Sequence, residues 1–587
     1  MNAAAPRLLR GTLMMDKKVA DLIADALHQV GVQRIYGIVG DSLNGLTDAL
    51  RRRGDIAWVH TRHEETAAFA AGADAALTGE LAVCAGSCGP GNLHLINGLF
   101  DCQRSRVPVL AIAAQIPLRE IGRNYFQETH PQNLFQECSH FCELVASPDQ
   151  LPGVLETAIR IAIAESGVSV IVLPGDVGLM SVPEGTSLSP SIRPPRPSIR
   201  PEDAELDALA ALLNNGTTTL FCGRGCAGAH AELMQLAETL KAPTVHSLAG
   251  KEWVEWDNPY DVGLTGLIGF SSGYHAMMDC STLLMLGTDF PYRQFYPTEA
   301  KIAQIDIRAA NLGRRCKLTL GLVGDVRETI TALLPRLTAK SDRSHLDRSL
   351  ARYKRSREGL DDLAVAGNGS RIHPQFVART LSETADDDAI ITYDVGTPTV
   401  WAARYIATNG RRRLLGSLNH GSMANALAQS IGAQTAYPNR QVISFSGDGG
   451  LTMLMGDLLT LAQQKLPIKI VVLNNGTLGL VELEMKAAGF LDTGVDLVSS
   501  NFADIAKAAG IHAIRVKDSR DLGKAFCEIL HHDGPALLDV VSARQELSMP
   551  PHIALGQMTG FGLWMVKAAL DGRGEQVLDL ALTNLMR

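Results

Sequence analysis

A chain of 587 residues exceeds what one hydrophobic core can serve, so two to four domains are expected. Hydrophobic residues at 46% and charged residues at 20% are the proportions of a soluble globular protein. A net charge of −8 with no clustered basic run excludes a nucleic-acid partner, and apolar runs no longer than Val107–Pro117 fall short of the ~20 residues that cross a bilayer.

Ten cysteines include three pairs at CxxxC spacing, Cys84/Cys88, Cys138/Cys142 and Cys222/Cys226, without the closer paired spacing of a metal site. They read as reduced small hydrophobes, which implies a cytoplasmic location. Residues 1–14 are expected to be a disordered extension, or translation to start at Met14 or Met15, because Arg10 and Gly11 interrupt any signal-peptide core.

From Lys17 the chain alternates helical and strand patterns. A first domain over 15–182 has an amphipathic helix at Val19–Val30 and an alanine-rich helix at Thr66–Leu77. Its strands are expected at Arg34–Ile38, Ile56–His60, Leu81–Ala85, Val107–Ala114 and Val168–Leu173. A Pro/Ser/Arg-rich linker covers 183–201. A second domain over 202–337 has strands at Thr218–Cys222, Thr282–Leu286 and Lys301–Ile307, and a charged, mostly helical connector covers 338–372. A third domain over 373–545 has strands at Ala389–Tyr393, Gln441–Phe445, Ile468–Leu473 and Ala536–Val541. The pattern predicts an α/β protein of three consecutive doubly wound parallel-sheet domains, closed by a short C-terminal helical tail over 546–587.

The strongest chemical signal lies in the third domain. The strand Gln441–Phe445 runs into Gly447-Asp448-Gly449-Gly450, a helix is expected over Leu451–Gln464, and the next strand ends at Asn474-Asn475. One βαβ crossover makes the two strands parallel, so Asp448 and Asn475 reach the same crevice at their carboxyl ends. An Asp, an Asn and a nearby carbonyl are hard oxygen donors suited to Mg²⁺ shared with phosphate oxygens. The glycines let the backbone approach a phosphate, and the helix N-terminus favours the negative charge. Either turn alone is common in loops; the two at matched strand ends are far less so.

Gly447-Asp448-Gly449 followed by Asn474-Asn475 resembles the thiamine-diphosphate motif of the pyruvate oxidase–acetolactate synthase superfamily. The likeness extends to Tyr36–Ser42, His63-Glu64-Glu65, Cys88–Asn92, Tyr125–Glu128, Asp394–Gly396 and Asn419–Met423, and is closest to the pyruvate dehydrogenase (quinone) branch. It implies Asp448, Asn475 and the main-chain carbonyl of Thr477 as Mg²⁺ ligands. Gly449, Gly450, Gly476, Leu478, Gly479, Leu480 and Val481 complete the cofactor-binding loops. Glu64 would be the glutamate whose hydrogen bond to the aminopyrimidine promotes the imino tautomer that deprotonates the thiazolium. Phe126, Gln127 and Leu480 would meet the substrate, Met423 beside Gly421 and Ser422 would wedge under the cofactor, and Asp394, Val395, Gly396 and Thr397 would approach its pyrimidine end. Leu480 departs from the aromatic residue expected there, which alters pocket shape or gating.

In the second domain Gly223-Arg224-Gly225-Cys226-Ala227-Gly228 follows a strand in GxGxxG form, yet the acidic residue expected ~20 positions on is not cleanly placed, so a nicotinamide dehydrogenase is poorly supported. The resemblance implies FAD instead, held by Thr265, Gly266, Leu267 and Ile268, by Thr288, Asp289, Phe290, Pro291 and Tyr292, and by Asp306. In the tail, Val577, Leu578, Ala581, Leu582, Leu585 and Met586 are expected to form one apolar face, preceded by Gly572, Gly574 and the aromatic stretch Phe561–Trp564. The resemblance implies that this tail binds membrane lipid, placing the enzyme at the inner face of the cell membrane.

The function so implied is decarboxylation of pyruvate to acetate and CO₂, with electrons passing through FAD to a quinone. The thiamine site would lie between the first domain of one subunit and the third of another, so a homo-oligomer is expected, a dimer at minimum and a tetramer by preference. The rivals are an acetolactate-synthase-like carboligase, a phosphate-dependent oxidase and a non-catalytic membrane flavoprotein.

Overall fold

The structure, a computed structural model, describes residues 16–367, 372–546, 555–571 and 573–584. The expected extension over 1–14, with Met14 and Met15, lies outside the described residues, as do Gly572, Leu585 and Met586 of the tail. The chain forms two compact units that meet in sequence at Pro194/Pro195.

The first unit holds six strands: β1 (Arg34–Gly37), β2 (Ala57–His60), β3 (Ala82–Gly86), β4 (Val109–Gln115), β5 (Phe141–Leu144) and β6 (Val168–Pro174). They pair in parallel in the order β2-β1-β3-β4-β6-β5. Every residue of β3, β4 and β6 is buried, as expected of strands with helices on both faces. The helix Glu64–Thr78 is buried along most of its length, because its alanines offer water no polar face. It packs on the helix Pro90–Ser105 so closely that a methyl on Gly98 would come within 2.5 Å of Ala68 Cβ. Small residues on both helices set this spacing, which brings the start of one helix against the second turn of the other.

The second unit contains two sheets. Its first has β7 (Thr218–Cys222), β8 (Thr244–His246), β9 (Asp261–Leu264), β10 (Thr282–Leu286), β11 (Lys301–Asp306) and β12 (Leu320–Val323), in the parallel order β12-β11-β10-β7-β8-β9. Counted from β9 this is 3-2-1-4-5-6, the doubly wound order with its switch point between β7 and β10. The connector helix Ser344–Leu363 belongs to this domain: His345 Nε2 lies 2.9 Å from Thr219 Oγ1, and Leu350 and Tyr353 join the Phe290/Phe295/Tyr296 cluster.

The third sheet has β13 (Ile390–Tyr393), β14 (Arg413–Leu415), β15 (Val442–Gly447), β16 (Lys469–Asn474), β17 (His512–Val516) and β18 (Ala536–Val541). Its order, β14-β13-β15-β16-β18-β17, repeats the succession of the first sheet. The helix expected over Leu451–Gln464 differs: it begins at Asp448, ends at Met453, and resumes over Leu458–Gln464 after a turn at Met455–Asp457. Gly456 in that turn favours the break.

The tail forms two helices, Leu555–Leu570 and Gly574–Asn584, the first packed on the helix Gly479–Ala487 and the second on the first. Trp564 and Ala568 are fully buried there, and Lys567 Nζ donates to Gly489 O at 2.8 Å. The buried face of the last helix corrects the expected stripe. Val577, Leu580 and Thr583 turn inward at three-residue spacing, whereas Leu578 is 59% exposed and Ala581 and Leu582 are half-buried. Leu563, Val566 and Leu570 also face outward. Among the described residues no helix is long and apolar enough to cross a membrane. All ten cysteines are free, and Cys527 alone among them is exposed.

The middle domain buries two titratable groups with opposite leanings. Burial, with the Glu255 carboxylate beside it, raises Asp261 to about 7, and burial lowers His246 to about 4; His246 Nε2 lies 3.5 Å from Asp261 Oδ1. Between pH 4 and 7 the folded protein holds the Asp261 proton that the unfolded chain has lost, so this group costs stability as pH rises. His246 does the reverse: its neutral burial costs stability as pH falls from ~6.5 towards 4. The two slopes oppose each other. Asp261→Asn is therefore expected to raise the thermal midpoint at pH 8 more than at pH 5, by the equivalent of about 2 kcal/mol. An equal change at both pH values would refute the assignment.

Candidate active site

The third sheet reverses strand order between β13 and β15, and a crevice opens there at the carboxyl ends. Asp394 leaves β13 and Asp448 follows β15; β16 pairs directly with β15, Leu473 opposite Gly447, so Asn475 emerges at the same edge. Asp448 is 4% exposed and accepts the N–H of Gly449 at 2.9 Å through Oδ1 and of Gly476 at 2.7 Å through Oδ2; burial lifts it to about 6. Asn475 Oδ1 accepts Thr477 N–H at 3.1 Å. Asn474 is turned elsewhere, to Asp539 and Ser500, and acts as a brace of the sheet.

Asp394 is buried beneath Gly450, where a methyl would come 2.0 Å from its Oδ2. That oxygen has no hydrogen-bond partner among the described residues, and burial raises the carboxyl to about 7. Val395, Gly396 and Thr397 follow at the helix start Thr397–Tyr405. Met423 reaches the same floor: its Cε lies 3.3 Å from a methyl placed on Gly449, as Leu478 Cδ2 does at 2.8 Å. Ser422, after Gly421, anchors this stretch by its N–H to Ser417 Oγ at 3.0 Å. Ala424 takes φ +69°, a conformation that costs a non-glycine residue energy, and Asn425 holds it by donating to Tyr393 O and accepting from Val395 N–H. Leu480 is half-buried and Val481 40% exposed at the start of the helix Gly479–Ala487.

The residues fit a diphosphate-bound cation. One carboxylate, one carboxamide and a peptide carbonyl are hard donors too few to hold a metal alone, which suits Mg²⁺ completed by phosphate oxygens. Among the described residues no cluster of three or more His, Cys, Asp or Glu side chains could hold a metal by itself. Gly449 and Gly450 open the helix Asp448–Met453, leaving free N–H groups at its start.

In the first unit Glu64 is 5% exposed in the first turn of its helix, capped by His63 accepting from Glu65 N–H at 3.2 Å. Glu64 Oε2 lies 2.9 Å from His94 Nδ1, and the His94 ring stacks on His63 at 4.4 Å. A methyl on Gly91 would sit 3.0 Å from Glu64 Oε1. Gln127, with φ +62°, packs on the same loop, its Oε1 3.4 Å from Cys88 Sγ; Phe126 projects outward, 78% exposed. Thus Glu64, the Cys88–Gly91 loop and Gln127 form one surface, and Phe126 stands free of it.

The middle domain spreads its expected residues along the carboxyl edge of its sheet. Thr265, Gly266, Leu267 and Ile268 follow β9; Thr265 is buried with its hydroxyl unpartnered, Leu267 is exposed, and Ile268 O accepts from Arg404. Thr288, Asp289, Phe290, Pro291 and Tyr292 follow β10, where Asp289 pairs with Arg315 at 3.0 Å and Phe290 meets Tyr292 edge-on at 5.3 Å. Asp306 ends β11, accepting from Arg308 N–H and Asn311. From β9 to β11 is four strand spacings, about 19 Å. The Gly223–Gly228 stretch does not open a helix. It forms a tight turn at Arg224–Cys226, with the helix starting at His230, and a methyl on Gly225 would meet Gly287 Cα at 2.6 Å. Its glycines serve loop packing, which removes the main support for the nicotinamide alternative.

Sequence reasoning missed His94, Asn425 and Glu482. The first two lie one to three residues beyond motifs it quoted, Cys88–Asn92 and Asn419–Met423; Glu482 carries no local signal.

Comparison with known proteins agrees with this geometry. Three family models match: the N-terminal TPP-binding domain of thiamine pyrophosphate enzymes over residues 17–134, their central domain over 206–333 and their C-terminal TPP-binding domain over 394–540. The chain is 36% identical to a putative thiamine pyrophosphate-containing protein, YdaP, of Bacillus subtilis, over 94% of this chain and 96% of that one. It is 30% identical to a pyruvate oxidase of Lactiplantibacillus plantarum (90% of each) and 31% identical to an acetolactate synthase of Arthrospira platensis (90% of this chain, 94% of the relative). With three α/β domains in the family's order and relatives spanning nearly the whole chain, this protein belongs to the thiamine-pyrophosphate-dependent enzymes.

Proposed function

We propose that this enzyme oxidatively decarboxylates pyruvate to acetate and CO₂, with thiamine diphosphate held through Mg²⁺, and passes the electrons through FAD to a membrane quinone. Glu64 activates the cofactor, Asp448, Asn475 and the Thr477 carbonyl hold the metal, and Gln127, Phe126 and Leu480 shape the substrate pocket. The bound thiamine supplies the electron sink for decarboxylation. Likeness to a pyruvate oxidase supports the substrate. The carboxyl edge of the middle sheet, with Thr265 at one end and Asp306 at the other, suits an extended dinucleotide such as FAD.

The observation that carries oxidation to a quinone is the tail. Leu563, Val566, Leu570 and Leu578 expose apolar side chains on a helix pair, a surface that a soluble carboligase has no use for and that a lipid interface would cover. The enzyme accordingly works as a homo-oligomer, a dimer at minimum, bound peripherally at the inner face of the cell membrane. The carboligase reading is favoured by one observation, the equal likeness to an acetolactate synthase, in whose family FAD is a passenger.

The deciding experiment is anaerobic. Pyruvate added to holoenzyme with thiamine diphosphate and Mg²⁺ is expected to bleach the flavin, a soluble ubiquinone analogue to restore it, and acetate to accumulate. Flavin that stays oxidised while acetolactate forms would replace this reading with carboligation. Bleaching that requires inorganic phosphate would replace it with a phosphate-dependent oxidase.

A further inference from the structure

The loop that supplies Asn475 and Thr477 is held from two sides. Leu497 N–H donates to Gly476 O and Leu478 N–H to Val495 O, both at 2.9 Å, and Thr477 pairs antiparallel with Asp496. A trans peptide points its C=O opposite its N–H, so the bond from Leu478 N–H aims the Thr477 carbonyl away from the Val495–Leu497 strap. The Thr477 hydroxyl donates to Glu482 Oε2 at 2.7 Å, with Val495 O also within 3.2 Å.

Glu482 is 3% exposed and its carboxylate is saturated. Oε1 accepts from Lys486 Nζ at 2.6 Å and Gln545 Nε2 at 3.0 Å; Oε2 accepts from Thr477 and from Arg544 Nε at 3.2 Å. Lys486, 2% exposed, also donates to Gln545 Oε1 and lies 4.7 Å from the Trp564 ring. Arg544 reaches on to Asp496, whose main chain faces Thr477. A buried ion pair of this kind is a poor source of stability, since apolar residues of the same volume serve as well or better; its worth lies in fixing geometry. What this one fixes is residue 477.

We propose that Glu482, braced by Lys486, Arg544 and Gln545, is the positioning residue of the metal loop: it holds Thr477 by its hydroxyl so that the Thr477 carbonyl is presented to the diphosphate-bound cation. Glu482 itself touches neither metal nor cofactor. The inference rests on the reading of Asp448, Asn475 and Thr477 as the metal site.

The test is calorimetric titration of Mg²⁺ into full-length protein saturated with thiamine diphosphate. Glu482→Gln and Thr477→Val are each expected to weaken Mg²⁺ binding about 10-fold, the scale of one hydrogen bond to a charged group, and the double variant to be no weaker than either alone. Thr477→Val leaves the ion cluster whole, so it reports even where Glu482→Gln fails to fold. Wild-type Mg²⁺ affinity in Thr477→Val, or full additivity in the double variant, overturns the inference while the metal reading stands. Asp448→Asn, run alongside, separates the two: undiminished Mg²⁺ binding in that variant overturns the metal reading itself.

Discussion

Glu64→Gln is expected to lower turnover of pyruvate about 10²–10³-fold with the fold and cofactor content intact, the scale of one lost general acid–base contact. The side chain is nearly isosteric, and its amide oxygen can still meet His94 Nδ1, the partner of Glu64 Oε2 at 2.9 Å, so little stability should be lost. What disappears is a carboxyl group able to share a proton with the aminopyrimidine. Glu64 is placed for that task by three independent features: the first turn of a helix, burial to 5% exposure, and one oxygen occupied by a histidine while the other faces the Gly91 loop. The check is kcat at saturating cofactor, together with the rate at which the thiazolium C2 proton of the bound cofactor exchanges with deuterium. Exchange at the wild-type rate would remove Glu64 from the activating role, whatever happened to kcat.

Asp448→Asn is expected to weaken binding of Mg²⁺ with thiamine diphosphate by 10²-fold or more, about 3 kcal/mol. Two losses add. The anionic oxygen becomes a neutral one, which a hard divalent cation binds less well. The carboxylate also accepts two backbone N–H groups, Gly449 and Gly476, and an asparagine offers one oxygen in place of two. The Gly476 bond is what ties the two halves of the crevice together, so the Asn475–Thr477 turn should loosen as well. Equilibrium titration of both ligands reads this directly. An affinity within a factor of three of wild type would place the metal elsewhere.

The interior of each sheet was legible in the chain and its rims were not. β4, β6 and β16 are buried at every position, so they appear as unbroken apolar runs that periodicity finds. The strands that escaped are β5, β8, β9, β12, β14 and β17. All but β8, which has three residues, lie at a sheet edge, and β5, β12, β14 and β17 there carry partly exposed positions that break the run. The site divides in the same way. Asp448 and Asn475 are predictable because one short crossover carries both, whereas the contact of His94 with Glu64 depends on how closely two alanine- and glycine-lined helices pack. Glu482 is the extreme case, since its role depends on Gln545, 63 positions away. The tail stripe failed for a different reason: leaving Leu580 out of the pattern rotated the face, and it is Leu580 that is buried.

The brace around Glu482 also has a place in time. Ribosomes deliver a chain from its amino end, and domains fold as they emerge. The first sheet is complete in sequence at Pro174 and the second at Val323, so both can settle while the remainder is still being made. The third is not: β16 waits for β18, which ends at Val541, and Glu482 waits for Gln545. Lys486 gains its cover last, when Trp564 has cleared the exit. The loop bearing Asn475 and Thr477 is therefore translated well before it can be set, and the newborn protein becomes competent for its cofactor only once its final helices have been delivered.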